Sequence, residues 1–291
     1  MKEVLRKVRR LEIKIRRMVN DIFAGEYHAV FKGQGLEFDE VRLYQYGDEI
    51  RFIDWNVTAR TGEVFIKQFR EERERTLFVL FDISGSENFG TEKENKLIIG
   101  TEIASILAFS ALKNNDKIGM ATFTDRIEQY FPAQKGRKHV LAIIRSLLTH
   151  KALNKNTNIA FALDFIRKTQ KRKSIILIIS DFLDTHYDLP LKHLAKKHEI
   201  ILIRLFHPNE VLQESSGTIP VLDMESGKMV WINAGDSQYG KELRTQFERI
   251  DKNLMSLSHK FKMDYLAVNT HVDYFNVLEN FFKNRKTRLR S

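Results

Sequence analysis

The chain has 291 residues, of which 43% are hydrophobic and 30% charged, and it carries a net charge of +10. This length can bury a substantial core, the composition is that of a soluble globular protein, and the absence of cysteine excludes disulfides, thiolate metal sites and cysteine nucleophiles. No apolar run approaches the roughly 18–20 residues that span a bilayer, and the first residues lack the apolar segment of a signal peptide, so we expect a cytoplasmic protein.

The first 75 residues are predicted to form a helix followed by a β-rich extension. Apolar side chains recur at mostly helical spacing over residues 3–23, which predicts an amphipathic helix. Residues 25–69 then carry five glycines between short runs of alternating or β-prone residues. Such punctuation is typical of short strands joined by turns, so this segment is predicted to be a small subdomain.

Residues 76–291 are predicted to form an α/β domain that ends in a helix and a basic tail. Long apolar runs alternate there with amphipathic ones. Strands are predicted over residues 76–84, 117–125, 126–133, 173–182, 199–206 and 264–270, helices over 94–114, 136–150, 158–170, 190–198, 238–261 and 273–286, and a hairpin over 217–234. The alternation implies βαβ units, and hence a mostly parallel sheet with helices on both faces.

Oxygen-bearing side chains follow two of the predicted central strands. Asp82, Ser84 and Ser86 stand at alternate positions after "TLFVLF", and Asp181 follows "IILIIS". Thr157 lies in a loop just before a predicted helix. Ligands of open α/β sheets bind outside the carboxyl ends of the strands, so all three segments are expected to converge at one edge of the sheet.

This set resembles the metal-ion-dependent adhesion site of von Willebrand factor A domains, whose pattern is Asp-x-Ser-x-Ser, a later Thr and a later Asp. The resemblance implies a von Willebrand A-like fold and a site for Mg²⁺ or Mn²⁺, hard cations that prefer oxygen ligands. It also implies that Ser84, Ser86 and Thr157 coordinate the ion directly, while Asp82 and Asp181 act largely through water. An ion held by neutral ligands would attract an acidic residue from a partner protein.

Local roles for the same residues remain open. Asp82 and Ser84 could form a turn that satisfies backbone N–H groups, and Thr157 and Asp181 could each cap a following helix. Many such sites have Met after the second serine, whereas this chain has Glu87. We expect Glu87 to point to solvent, although its carboxylate could instead supply a ligand to the ion.

Catalysis is disfavoured by the residues at hand. A haloacid-dehalogenase-type phosphatase needs a second Asp where Ser84 stands, and neither a G-x-S-x-G elbow nor a Walker A sequence is present. The histidines are scattered without ligand spacing. We therefore predict that the protein is not an enzyme.

A second resemblance covers the extension. The stretch "YGDEIRFIDWNVTAR" looks like the hallmark of the bacterial family catalogued as domain of unknown function 58, von Willebrand A-like proteins often encoded beside MoxR-type AAA+ ATPases. That resemblance implies a metal-dependent protein-interaction module whose partner is such an ATPase or its client, in assembly or chaperone-like activation.

The polar and aromatic residues of this stretch are predicted to form either a structural latch onto the α/β domain or a partner-docking surface. Arg51 and Asp54 are close enough in sequence to pair, and Arg60 could clamp Asp48 or Asp54. The residues concerned are Gly47, Asp48, Arg51, Asp54, Trp55 and Arg60.

The basic ends support an alternative function. Residues 1–17 contribute +6 and residues 283–291 contribute +5, which leaves about −1 for residues 18–282. Such ends are typical of solvated faces, but they also suit nucleic acid or, peripherally, an anionic membrane. No RNA-binding aromatic motif, zinc finger or helix-turn-helix signature is visible, which disfavours nucleic acid.

Overall fold

The computed structural model describes residues 12, 13, 15, 36–71, 75–90, 95–210, 218–222, 229–233 and 237–288. It divides into two compact units, residues 31–75 and residues 1–30 together with 76–291. The helix predicted over residues 3–23 lies outside the described residues except at positions 12, 13 and 15, which are helical. The boundary predicted between residues 75 and 76 stays a prediction.

The smaller unit contains two antiparallel strands and one helix. Strand β1 (Leu36–Leu43) pairs with β2 (Phe65–Glu71), with a shift in register between Phe38 and Glu40. Helix α1 (Trp55–Thr61) lies between them in sequence, where the sequence pattern predicts only strands and turns. Its N-terminus is capped by Asp54, whose Oδ1 accepts from the backbone N–H groups of the second and third helical residues.

The larger unit is built on a six-stranded sheet in the order β10–β7–β6–β3–β4–β5. The strands are β3 (Thr76–Asp82), β4 (Lys117–Phe123), β5 (Ile127–Gln134), β6 (Ile175–Ser180), β7 (Glu199–Phe206) and β10 (Asp264–Asn269). Every neighbouring pair is parallel except β4 and β5. The predicted pairing of residues 126–133 with the preceding strand is confirmed.

Helices alternate with these strands. They are α2 (Lys96–Lys113), α3 (Arg137–Thr149), α4 (Ile159–Thr169), α5 (Asp188–Ala195), α6 (Ser237–Phe261) and α7 (Tyr274–Arg288). The predicted hairpin forms as strands β8 (Thr218–Leu222) and β9 (Met229–Asn233), which pair antiparallel. Among the described residues no helix is long and apolar enough to cross a membrane.

The core lies on both faces of the sheet, because the central strands are buried on both sides. Phe78 and Leu80 of β3 join a cluster with the apolar side chains of α4, α5 and α6. Phe81 faces the opposite way, onto α2. The predicted α/β class is therefore confirmed: a mostly parallel sheet with helices on both faces.

The C-terminal basic end is partly structural. Helix α7 continues to Arg288, and Arg285 within it is only 3% exposed. Its guanidinium pairs with Asp264 at 2.8 Å and with Glu199, at the starts of β10 and β7. Of the five basic side chains in residues 283–291, at least Arg285 thus neutralises acidic side chains of the same chain.

We expect Gly100→Ala to destabilise the larger unit by about 1–2 kcal/mol, even though Ala favours helices over Gly. A Cβ at position 100 would lie 2.5 Å from Cε2 of Phe81, so either the buried Phe81 ring or α2 would have to shift. Urea unfolding of Gly100→Ala, Phe81→Leu and the double variant measures the effect. If the unfolding free energy lost in the double variant equals the sum of the two single losses, the steric explanation is contradicted, because substitutions at residues in contact are not additive.

Candidate metal site

Asp82 ends β3 and is fully buried. Its Oδ1 accepts from the backbone N–H of Ser84 at 2.9 Å, and its Oδ2 accepts from the hydroxyl of Ser180 at 2.7 Å. The first bond forms the local turn that the sequence offered as one role for Asp82 and Ser84. The second joins Asp82 to the end of the neighbouring strand β6, so the carboxylate links two strand ends.

Ser84 and Ser86 bring their hydroxyls together after β3. A short 3-10 turn, Gly85–Asn88, begins directly after Ser84. The two Oγ atoms are 3.3 Å apart, and the side chain of Ser84 is buried. The alternate spacing seen in the sequence therefore places both hydroxyls on one side of the turn.

Asp181 follows β6 and is 1% exposed. Its Oδ1 accepts from the N–H of Leu183 at 3.2 Å, which is a local turn bond. Its carbonyl oxygen accepts from Nε of the buried Arg204 at 3.3 Å. Arg204 also pairs with Asp251 of α6 at 2.6 Å, so it joins that helix to the loop that carries Asp181.

Thr157 lies in a loop that is hydrogen-bonded to the serine turn. The N–H of Gly85 donates to the carbonyl of Lys155 at 2.7 Å. The predicted capping role of Thr157 is not observed, because Asn158 and Asp184 accept from the first N–H groups of α4 instead. The hydroxyl oxygen of Thr157 is buried without a hydrogen-bond partner.

Glu128 of β5 anchors the same loop. Its side chain is fully buried, and its Oε1 accepts from the backbone N–H groups of Leu153 and Asn154 at 3.2 and 3.3 Å. The hydroxyl of Thr124 donates to it at 3.0 Å, and His150 contacts its other oxygen. One carboxylate thus fixes the backbone that leads to Thr157.

The expectation that Glu87 points to solvent is wrong. The 3-10 turn directs Glu87 inward, where it is fully buried. Its Oε1 accepts from the backbone N–H of Asp181 at 2.8 Å, while its Oε2 is buried without a hydrogen-bond partner. Glu87 is therefore a third carboxylate of the site, as the less favoured alternative allowed.

Sequence reasoning missed Lys96 and Glu210. Lys96 is the first residue of α2 and is fully buried. Its ammonium donates to Oδ2 of Asp181 at 2.7 Å and to Oε1 of Glu210, whose other oxygen accepts from the N–H of His207 at 2.9 Å. A helix N-terminus repels a cation, so these carboxylates are what stabilise the ammonium there.

The buried charges shift one another's pKa values. Burial, reinforced by the charge of Asp181, raises the pKa of Asp82 to about 7. The same two causes raise the pKa of Glu87 well above its ordinary value. Burial alone would lower the pKa of Lys96, but Asp181, Glu87 and Glu210 outweigh it and raise that pKa.

The carboxylates are close enough to share a cation. Three carboxylate oxygens, one each from Asp82, Glu87 and Asp181, lie within 4.8 Å of one another, and all three side chains are buried. Hard divalent cations take about six oxygen ligands, and the serine hydroxyls and the Thr157 loop supply neutral oxygens at the same edge of the sheet. The residues present therefore fit Mg²⁺ or Mn²⁺, while direct coordination by Ser84, Ser86 and Thr157 stays a prediction.

The other predicted residues lie in the smaller unit, with different partners from those expected. Asp48 is held by Arg42 through two bonds of 2.7 Å and not by Arg60, whose Nε donates back along α1 to the carbonyl of Asn56 at 3.4 Å. Arg51 pairs with Glu49 and not with Asp54.

Gly47 of that unit adopts φ of 103°, as the turn predicted from the sequence requires. Trp55 is 65% exposed. The choice between a latch and a docking surface for these residues stays a prediction.

Comparisons with known proteins place the chain among relatives of undefined activity. The family model described as "Protein of unknown function DUF58" matches residues 40–253. The uncharacterized protein Rv1480 of Mycobacterium tuberculosis is 30% identical over 223 residues, which cover 76% of this chain and 70% of that protein. The uncharacterized protein YeaD of Bacillus subtilis is 34% identical over 107 residues, 37% of this chain and 25% of that one.

Solved structures resemble it at low sequence identity. The conserved hypothetical protein BatB from Bacteroides thetaiotaomicron has 14% identity and a TM-score of 0.46, covering 73% of this chain and 99% of that chain. The SpRpn10 VWA domain has 10% identity and a TM-score of 0.40, covering 72% and 94%.

We expect Asp82→Asn to stabilise the fold at pH 8 by up to about 4 kcal/mol. The pKa of Asp82 is about 7 in the folded state, against about 3.9 for an unfolded Asp. Between these values the folded chain holds a proton that the unfolded chain has lost, so this residue's contribution to stability falls as the pH rises through that window. Asparagine removes the loss, because it stays neutral.

Urea unfolding at pH 5 and pH 8 measures this effect on the wild type and Asp82→Asn. Asp164→Asn is the matched control, since its side chain is 48% exposed and its change should be small at both pH values. An Asp82→Asn effect of equal size at the two pH values would show that the carboxyl is not protonated in the folded state.

Proposed function

Because this chain belongs to the family described as protein of unknown function DUF58, we propose a function from its own site: a metal-dependent, non-enzymatic protein-interaction module. It would bind Mg²⁺ or Mn²⁺ at the edge of the sheet and use the bound ion to hold an acidic residue of a partner protein. The family resemblance points to a MoxR-type AAA+ ATPase or its client as that partner.

The observation that carries the proposal is a pair of buried oxygens without hydrogen-bond partners. One is Oε2 of Glu87, a residue of the three-carboxylate cluster, and the other is Oγ1 of Thr157, in the loop bonded to the serine turn. A buried polar atom without a partner costs folding free energy, so it needs an explanation. A cation that accepts lone pairs from both would supply one.

The chemistry of the site supports binding more than catalysis. The hydroxyls of Ser84 and Ser86 contact each other, and no histidine is among the hydrogen-bond partners found for either hydroxyl in the described part of the chain. A nucleophilic serine needs an adjacent base to activate it. When bound, the ion would supply a Lewis acid centre, while the residues of this chain hold and orient it.

The alternative of nucleic-acid or membrane binding has less support. Arg285 is buried and neutralised by Asp264 and Glu199, so that part of the basic C-terminal end serves the fold. Binding driven by the remaining basic side chains would weaken steeply with added salt. Metal-dependent docking would respond instead to chelation of the ion.

We expect one Mn²⁺ or Mg²⁺ to bind the wild type in calorimetric titration, and its affinity to fall at least tenfold in Ser84→Ala/Ser86→Ala and in Thr157→Val. Each variant removes neutral oxygens and leaves the carboxylates in place. Thr149→Val is the matched control, because the hydroxyl of Thr149 donates to the carbonyl of Arg145 on its own helix. Circular dichroism verifies that each variant is folded.

Two results would contradict the proposal. A wild type that binds neither ion at millimolar concentration lacks the site, and equal affinities in wild type and variants would place the ion elsewhere.

For the partner, retention of a purified MoxR-type ATPase should be abolished by EDTA and by Ser84→Ala. Retention that instead falls with salt and with Arg288→Gln/Arg290→Gln would favour the basic end.

A further inference from the structure

The carboxylates of the proposed metal site already bind a cation that belongs to the chain. Lys96 is fully buried, and its ammonium lies 2.7 Å from Oδ2 of Asp181. Asp181 is also one of the three residues whose oxygens lie within 4.8 Å of one another. The ammonium and a divalent ion would therefore approach the same carboxylate from within one small buried space.

The second partner of the ammonium stands apart from that cluster. Glu210 follows β7 and contacts Lys96 through Oε1, and its other oxygen is held by the N–H of His207. Glu210 is not among the three carboxylates that could share an ion. It can therefore keep the ammonium when Asp181 is engaged by a metal.

We propose, on the basis of the function proposed above, that Lys96 is a resident counter-ion that competes with the divalent cation for Asp181, and that Glu210 retains its ammonium when the metal binds. Without metal, the ammonium is shared between Asp181 and Glu210. With metal, Asp181 turns to the ion, and Lys96 stays paired with Glu210 alone.

Competition of this kind regulates the affinity of the site. Two cations repel each other strongly in a buried space of low dielectric, so the ammonium weakens the binding of the ion. Glu210 has the opposite effect, because it draws the ammonium away from Asp181 and adds negative charge. Displacement of Lys96 toward Glu210 would thus favour metal binding, and its return to Asp181 would favour metal release.

The test measures Mn²⁺ affinity by electron paramagnetic resonance of the free ion, together with the melting temperature with and without Mn²⁺. We expect Lys96→Met to bind Mn²⁺ at least tenfold more tightly than the wild type. Without metal, Lys96→Met should have a lower melting temperature than the wild type, because the carboxylates lose their counter-ion. Addition of Mn²⁺ should raise its melting temperature by more than that of the wild type, because tighter binding stabilises the folded state more. Lys113→Met is the control, since it removes the same charge from the exposed far end of α2.

Glu210→Gln gives an independent reading that keeps Lys96 in place. We expect it to bind Mn²⁺ at least threefold more weakly than the wild type, because the ammonium is then left to Asp181. This variant decides the question if Lys96→Met does not fold.

The outcomes separate this inference from the proposed function. Binding in the wild type with unchanged or weaker affinity in Lys96→Met, or with unchanged or tighter affinity in Glu210→Gln, overturns the competition and leaves the metal site standing. Absence of Mn²⁺ binding in the wild type and in every variant, with native circular dichroism, overturns both.

Discussion

The ion pair between Lys96 and Asp181 is the interaction on which the candidate site depends. It places an ammonium and several carboxylates beneath the surface, where the carboxylates stabilise the ammonium and the ammonium offsets part of the repulsion between the carboxylates. The groups involved come from distant parts of the chain: the start of α2, the ends of β3 and β6, and the turn after β7. The parallel sheet makes this meeting possible, since it brings the carboxyl ends of its strands to one edge. The fold and the polar cluster therefore constrain each other.

The cluster is also joined to the rest of the domain through backbone atoms. Glu87 accepts from the N–H of Asp181, Gly85 donates to the loop before Thr157, and Arg204 donates to the carbonyl of Asp181. These bonds set the positions of the loops through the protein's own backbone. A site arranged in advance pays little ordering entropy when its ligand arrives. The two buried oxygens without hydrogen bonds remain the points at which this arrangement is incomplete.

Most of the fold and part of the site could be predicted from the sequence. The central strands read as continuous apolar runs because they are buried on both faces, and the order of the oxygen-bearing residues indicated where they meet. Lys96 escaped prediction because a lysine at the first position of a helix normally reaches solvent, and only the tertiary position of Glu210 and Asp181 makes its burial possible. Glu87 was misjudged for a similar reason, since the turn that directs it inward leaves no periodic signal. Arg60 was assigned to the wrong partner because α1 was not foreseen, and a helix directs that side chain back along its own backbone.

The anchoring of the loop by Glu128 bears on how such sites are recognised in other sequences. Glu128 lies outside the Asp-x-Ser-x-Ser pattern and would not be a metal ligand, yet its carboxylate holds the backbone that leads to Thr157. A homologue could retain all five pattern residues and, lacking this acid, present its threonine in the wrong place. Another could lose the acid and hold the same loop by different bonds. The five pattern residues alone therefore do not fix the geometry of such a site, and the bonds that hold the threonine loop have to be examined beside them.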